Sequence, residues 1–117
     1  MKRAGFPHLV CLFALAFVAV LDAGAVEVGD PAEGRRKAAR CQGCHGTDGI
    51  ARMPNVPHIA GESEIYLVKQ LEAFRTGQRQ DPQMSIMAKD LSDADIADLA
   101  AYYARIEISA RVPESLR

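Results

Sequence analysis

The sequence predicts a small all-α domain of three to four helices. Three observations lead there: apolar residues recur at helical spacing in two separate stretches, no run reads convincingly as a β-strand, and 117 residues leave room for one domain only. With 14 Lys and Arg against 15 Asp and Glu, the formal net charge is −1. A chain so balanced lacks the basic surface by which proteins hold nucleic acid, so no nucleic-acid partner is expected.

The chain opens with Lys2 and Arg3, then an uncharged stretch whose continuous apolar part, Leu9 to Leu21, is 13 residues long. A membrane-spanning helix needs about 20 apolar residues. The positive start, short apolar centre and small residues Ala23-Gly24-Ala25 have the order of a secretory signal cut after Ala25. This predicts a signal peptide over 1–25, a folded domain over 26–117, and export to the periplasm with at most peripheral membrane contact. Cys11 leaves with the signal.

The remaining aromatics are Tyr66, Phe74, Tyr102 and Tyr103. A domain of this size with so few large side chains has a thin core, and such domains often need a disulfide, a metal or a bound cofactor. The first helix is expected from Ala32 to about Arg40, leading into Cys41-Gln42-Gly43-Cys44-His45. That spacing reads as a covalent attachment site for c-type haem. Thiols at i and i+3 share one face of a helical turn, so both can bond to one edge of a haem, and the adjacent His45 becomes the proximal iron ligand. The rival uses are weaker. A structural zinc site needs a second pair of ligands, a thioredoxin-like pair needs a βαβ setting, and a disulfide between cysteines three apart closes too small a loop to stabilise much.

After a loop over 46–61, Ser63 caps a second helix in which Leu67, Leu71 and Phe74 stand at i, i+4 and i+7, and Gly77 ends it. A second loop, 78–90, contains Pro82, Met84 and Met87. Ser92 then caps the last helix. Leu91 and Ile96 are spaced as a hydrophobic staple, Asp95 occupies the capping-box position, and Ile96, Leu99, Ala100 and Tyr103 form one apolar face. Residues 104–117 carry no functional signal.

Four stretches in order, Cys41 to Gly49, Pro57 to Gly61, Tyr66 to Arg79 and Met84 to Tyr103, resemble the small class I bacterial c-type cytochromes of the cytochrome c4/c553 group. They are similar also to the cytochrome subunit of flavin-linked sulfide dehydrogenases. The resemblance implies the small class I cytochrome c fold wrapped around one haem, with Met84 as the second iron ligand ahead of Met53, Met87 and His58. It also implies that the Pro57 carbonyl accepts a hydrogen bond from His45. Arg79 and Tyr66 are candidates for the haem propionates.

Iron held by His and Met on its two faces has no open position, which favours one-electron transfer over substrate or oxygen chemistry. The expected function is therefore a periplasmic electron carrier rather than an enzyme. Its partners would be redox proteins, an electron donor and acceptor such as a flavoprotein dehydrogenase or a terminal oxidase. The alternatives are a haem subunit of a flavoprotein dehydrogenase complex and, with Met84 off the iron, a ligand-binding or peroxidatic haem protein.

Overall fold

The computed structural model describes residues 28–117, so the signal-peptide reading of 1–25 and Cys11 lie outside it. Five α-helices follow in order: α1 (Pro31–Lys37), α2 (Gln42–His45), α3 (Glu64–Thr76), α4 (Met84–Ala88) and α5 (Asp93–Ala104), with no strand among the described residues. Short 3₁₀ turns occupy Ala38–Arg40 and Glu114–Leu116. The all-α reading holds, with two short helices added to the three longer ones.

Helix α1 begins where the Asp30 side chain accepts from the backbone N–H groups of Ala32 and Glu33, with Pro31 in the first turn, where its missing N–H is no loss. It stays α-helical only to Lys37 and tightens to 3₁₀ through Arg40, a common way for a helix to end. Helix α3 has the expected caps: Ser63 Oγ accepts from Tyr66 N–H, and Gly77 adopts the left-handed conformation that a side chain would disfavour. Leu67 and Phe74 are buried on its inner face, and Leu71 and Val68 pack partly buried beside them.

Helix α5 carries both halves of the capping box: Asp95 N–H donates to Ser92 Oγ, and Ser92 N–H donates to the Asp95 carboxylate. Ile96, Leu99, Ala100 and Tyr103 are buried as their spacing predicts. The structure adds a second buried face, Ala97, Asp98 and Ala101, because α5 is packed on two sides, by α3 and by α1. Sequence periodicity marks large apolar residues and passes over small ones.

The crossing of α1 over α5 is a backbone-to-backbone contact. A Cβ placed on Gly34 would lie 2.0 Å from the Asp98 carbonyl oxygen, and one on the preceding Gly29 would lie 2.1 Å from that of Ala97. Gly34 thus serves close packing rather than weakening α1. Gly34→Ala gains helix propensity of about 1 kcal/mol but must push two backbones apart. The clash should dominate and lower holoprotein stability by about 3 kcal/mol, the upper end for overpacked cores, as measured by thermal or denaturant unfolding.

One charged cluster clasps the same crossing. Lys37 Nζ lies 2.6 Å from Asp98 Oδ2 and 2.7 Å from Asp95 Oδ1, while Asp98 Oδ1 accepts from Asp30 N–H at 2.7 Å. The Lys37 hydrogen bond, helped by Ser92 N–H, holds the Asp95 carboxyl down at about 2, and Lys37 with Asp30 N–H lowers that of Asp98. These carboxylates are more acidic folded than unfolded. Their stabilisation is complete above about pH 4, the ordinary carboxylate range, and is lost as pH falls towards 2. Thermal melts across that window should show the decline, and Lys37→Met should flatten it while leaving the melt at neutral pH lower than that of the parent protein.

Candidate haem site

The turn carrying Cys41, Cys44 and His45 follows directly on the 3₁₀ turn that ends α1. His45 N–H donates to Cys41 C=O at 3.0 Å, and Gly46, at φ 83°, releases the chain from the turn. Cys41 is half-buried and Cys44 exposed, with no disulfide between them, and His45 is buried at 7% exposure. Burial pushes the Cys41 thiol up, partly offset by the nearby Arg40 charge. Conversion to a thioether removes the ionisable proton, and with it the penalty of burying a charge.

The loop over 46–61 folds back on itself. Gly49 C=O accepts from the N–H groups of Ile59 and Ala60 at 2.9 and 3.1 Å, and Gly61 N–H donates to Tyr103 C=O at the end of α5 at 2.9 Å. So anchored, the loop brings the Pro57 carbonyl to 3.0 Å from His45 Nδ1. A carbonyl can only accept, so Nδ1 carries the proton and the Nε2 lone pair is available for a metal. Such a bond also fixes the ring plane and makes the imidazole a better donor to iron.

Met84 opens α4 and packs partly buried against the core cluster, near His45. The sequence reading placed it in a loop, and the difference has a local cause. Asp81 Oδ1 accepts from the N–H groups of Gln83 and Met84, both at 2.9 Å, and Asp81 N–H donates to Ser85 Oγ. Pro82 and Gln83 form the turn just before α4, and Asp81 ties that turn to the helix start. Those bonds hold the Asp81 carboxyl below its ordinary value. Arg75, which sequence reasoning missed, ties the far end of this segment by donating to Leu91 C=O at 2.9 Å and pairing with Asp93 at 2.6 Å.

The remaining candidates are more dispersed. His58 is exposed, Met53 is 48% exposed, and Met87 is half-buried. Tyr66 is exposed in the first turn of α3. Arg79 donates to Gln70 Oε1 and lies with its guanidinium 4.5 Å above the Phe74 ring, so its charge is held against α3.

The donor set suits a covalently attached haem. Two unbridged thiols share one turn with a buried imidazole whose second nitrogen is already oriented, and a thioether sulfur from Met84 stands near it. No group of three or more His, Cys, Asp or Glu side chains among the described residues could hold a metal ion directly, which leaves the zinc alternative without its ligands.

Known proteins agree. Residues 31–105 match the family described as cytochrome c. Cytochrome c4 of Pseudomonas aeruginosa is 46% identical over 81 residues, covering 69% of this chain and 40% of its own. Cytochrome c-554(548) of Halomonas halodenitrificans is 46% identical over 82 residues, 68% of this chain and 99% of its own. The chain thus spans about two fifths of some relatives and nearly all of another. A thiosulfate dehydrogenase electron acceptor of Thiomonas intermedia is 41% identical over 76 residues, covering 64% of this chain and 35% of its own. Among solved structures, reduced recombinant cytochrome c4 from Pseudomonas stutzeri superposes with a TM-score of 0.65 at 38% identity, over 68% of this chain and 47% of that one. With the attachment motif at 41–45, the family match across 31–105 and the helical fold in agreement, this chain belongs to the cytochrome c family and carries haem c bound through Cys41 and Cys44.

Proposed function

We propose that this protein is a periplasmic one-electron carrier in which a single haem is held by Cys41 and Cys44 and its iron is ligated by His45 and Met84. The observation that carries the reading is the His45–Pro57 hydrogen bond, which presents Nε2 from a buried ring while Met84 stands near it. Haem supplies a reversible one-electron couple when bound. The chain's own residues orient it and limit access: His45 is fixed by Pro57, the Met84 backbone is held by its N–H bond to Asp81, and the cluster of Leu67, Phe74, Leu91, Ile96 and Leu99 keeps the interior apolar. Pro57 is thus a positioning residue for the ligand. Arg79 and Tyr66 are offered as propionate contacts, which for Arg79 requires leaving Gln70.

Absorption spectra of the purified holoprotein in both oxidation states, with and without carbon monoxide, test this. A low-spin spectrum unaffected by carbon monoxide is expected, and a high-spin or readily carbonylated one would favour the ligand-binding alternative. For the polypeptide, 1–25 acts as a cleaved export signal and 26–117 as the haem domain; no described helix is long and apolar enough to cross a membrane. Intact-mass measurement after export should give a chain starting near Val26 plus one haem.

The partners are redox proteins. A second reading, a haem subunit serving a dehydrogenase, is supported by the similarity to a thiosulfate dehydrogenase electron acceptor. Co-purification with a dehydrogenase in stable stoichiometry would favour it over a freely diffusing carrier.

A further inference from the structure

The face of α5 that meets the haem-attachment turn carries a polar atom that the protein leaves unpaired. Tyr103 is 4% exposed, and its hydroxyl is buried with no hydrogen-bond partner among the described residues. An unpaired buried hydroxyl is costly, and Phe would fill the same place without it. Tyr103 belongs to the apolar cluster of Ile96 and Leu99, and Cys41 packs against that cluster. Cys41 is the polar side chain that this cluster brings towards the phenol: each of the two influences the other's ionisation, although no hydrogen bond of normal geometry closes between them.

We propose that Tyr103 is a positioning residue for the redox centre, its phenol O–H donating a hydrogen bond to the Cys41 sulfur once that sulfur is a thioether. The inference rests on the haem reading above. A thiol is a weak donor and a weak acceptor, whereas a thioether can only accept, so attachment removes the competing S–H and leaves Tyr103 as the donor. Burial raises the phenol's pKa, which keeps the proton in place across the neutral range. An O–H dipole with its positive end towards the haem edge, in a low-dielectric setting, favours the reduced state, which carries one positive charge fewer. The hydroxyl would then raise the potential.

The test is a spectroscopic redox titration of Tyr103→Phe holoprotein, with its covalent haem verified by intact mass. At fixed solution potential the ferrous-to-ferric ratio should fall about threefold, or about 28 mV at about 59 mV per tenfold change for a one-electron couple. Tyr102→Phe, whose ring lies 5.0 Å from Tyr103 on a half-buried residue, should leave the potential unchanged. In the unsubstituted ferric protein, proton NMR should show the Tyr103 hydroxyl proton exchanging slowly and shifted by the paramagnetic iron. An unchanged potential in haem-bearing Tyr103→Phe overturns the proposal, as does a rapidly exchanging, unshifted hydroxyl proton. The NMR result decides if Tyr103→Phe does not accumulate. Absence of covalent haem from the unsubstituted chain is a different failure, visible in the mass, and sinks the haem reading together with this inference.

Discussion

Replacing both Cys41 and Cys44 with Ala should abolish covalent haem and leave a chain without stable tertiary structure. The reason lies in the composition of the core. Among the described residues its buried apolar members include five alanines outside the Ala97 and Ala101 helix contact, and only Ile96 and Leu99 there are large side chains almost wholly out of water. A described domain of 90 residues, from 28 to 117, would have to offset its chain entropy with that material. Haem supplies the missing apolar volume, and binding that favours the folded state adds directly to stability. The double variant, expressed with a working haem-attachment system, should lack the haem mass and show circular dichroism of a largely unfolded chain. His45→Ala should impair assembly in the same direction. Native-like dichroism from the haem-free chain would contradict the argument.

Met84→Ala should have the second largest effect, confined to the iron. If Met84 sulfur binds iron, the ferric protein shows a weak long-wavelength sulfur-to-iron charge-transfer band, and the substitution removes it. Carbon monoxide should then bind the ferrous protein readily, and the potential should fall, because Met ligation raises it. Met87→Ala should keep the band and lose at most about 2–5 kcal/mol of packing. The opposite pattern would move the ligand to Met87 and leave electron transfer intact. No spectral change in either variant would reopen His58 and the open-site alternative.

Much of this architecture could be read from residue spacing. Ser63, Gly77, Ser92 and Asp95 are local signals acting within four residues, and the caps form at those positions. What escaped was set by partners distant in sequence or by a dipeptide with two meanings. Asp81-Pro82 reads as a turn and is one, yet the Asp81 carboxylate also takes the N–H groups of Gln83 and Met84, so that α4 opens directly behind it. Gly34 reads as a weak point until Asp98 is seen against it, and nothing within α1 announces that partner. Asp98 itself looks like one more exposed acid on α5 and is buried by Lys37 and Asp30. Tyr103 was legible as core but not as an unpaired hydroxyl, which is a property of packing. Pro57 entered only by resemblance, since a proline's carbonyl has no sequence signature.

The clasp between Asp30 and Asp98 spans 68 residues of sequence. Bringing such distant points together carries a loop-closure entropy of about 4 kcal/mol, growing only slowly with length. Once that ring is shut, the segments strung inside it no longer depend on one another for closure, and each can open and reclose within a chain that remains compact. Amide exchange should then separate into tiers: the central turns of α5, held from both sides, exchange only with global unfolding, while the α4 segment, fastened chiefly by Asp81 and Arg75, exchanges through a smaller, earlier opening. Release of the Met84 segment and loss of the fold are consequently two events with two energies, and the strength of one gives no measure of the other.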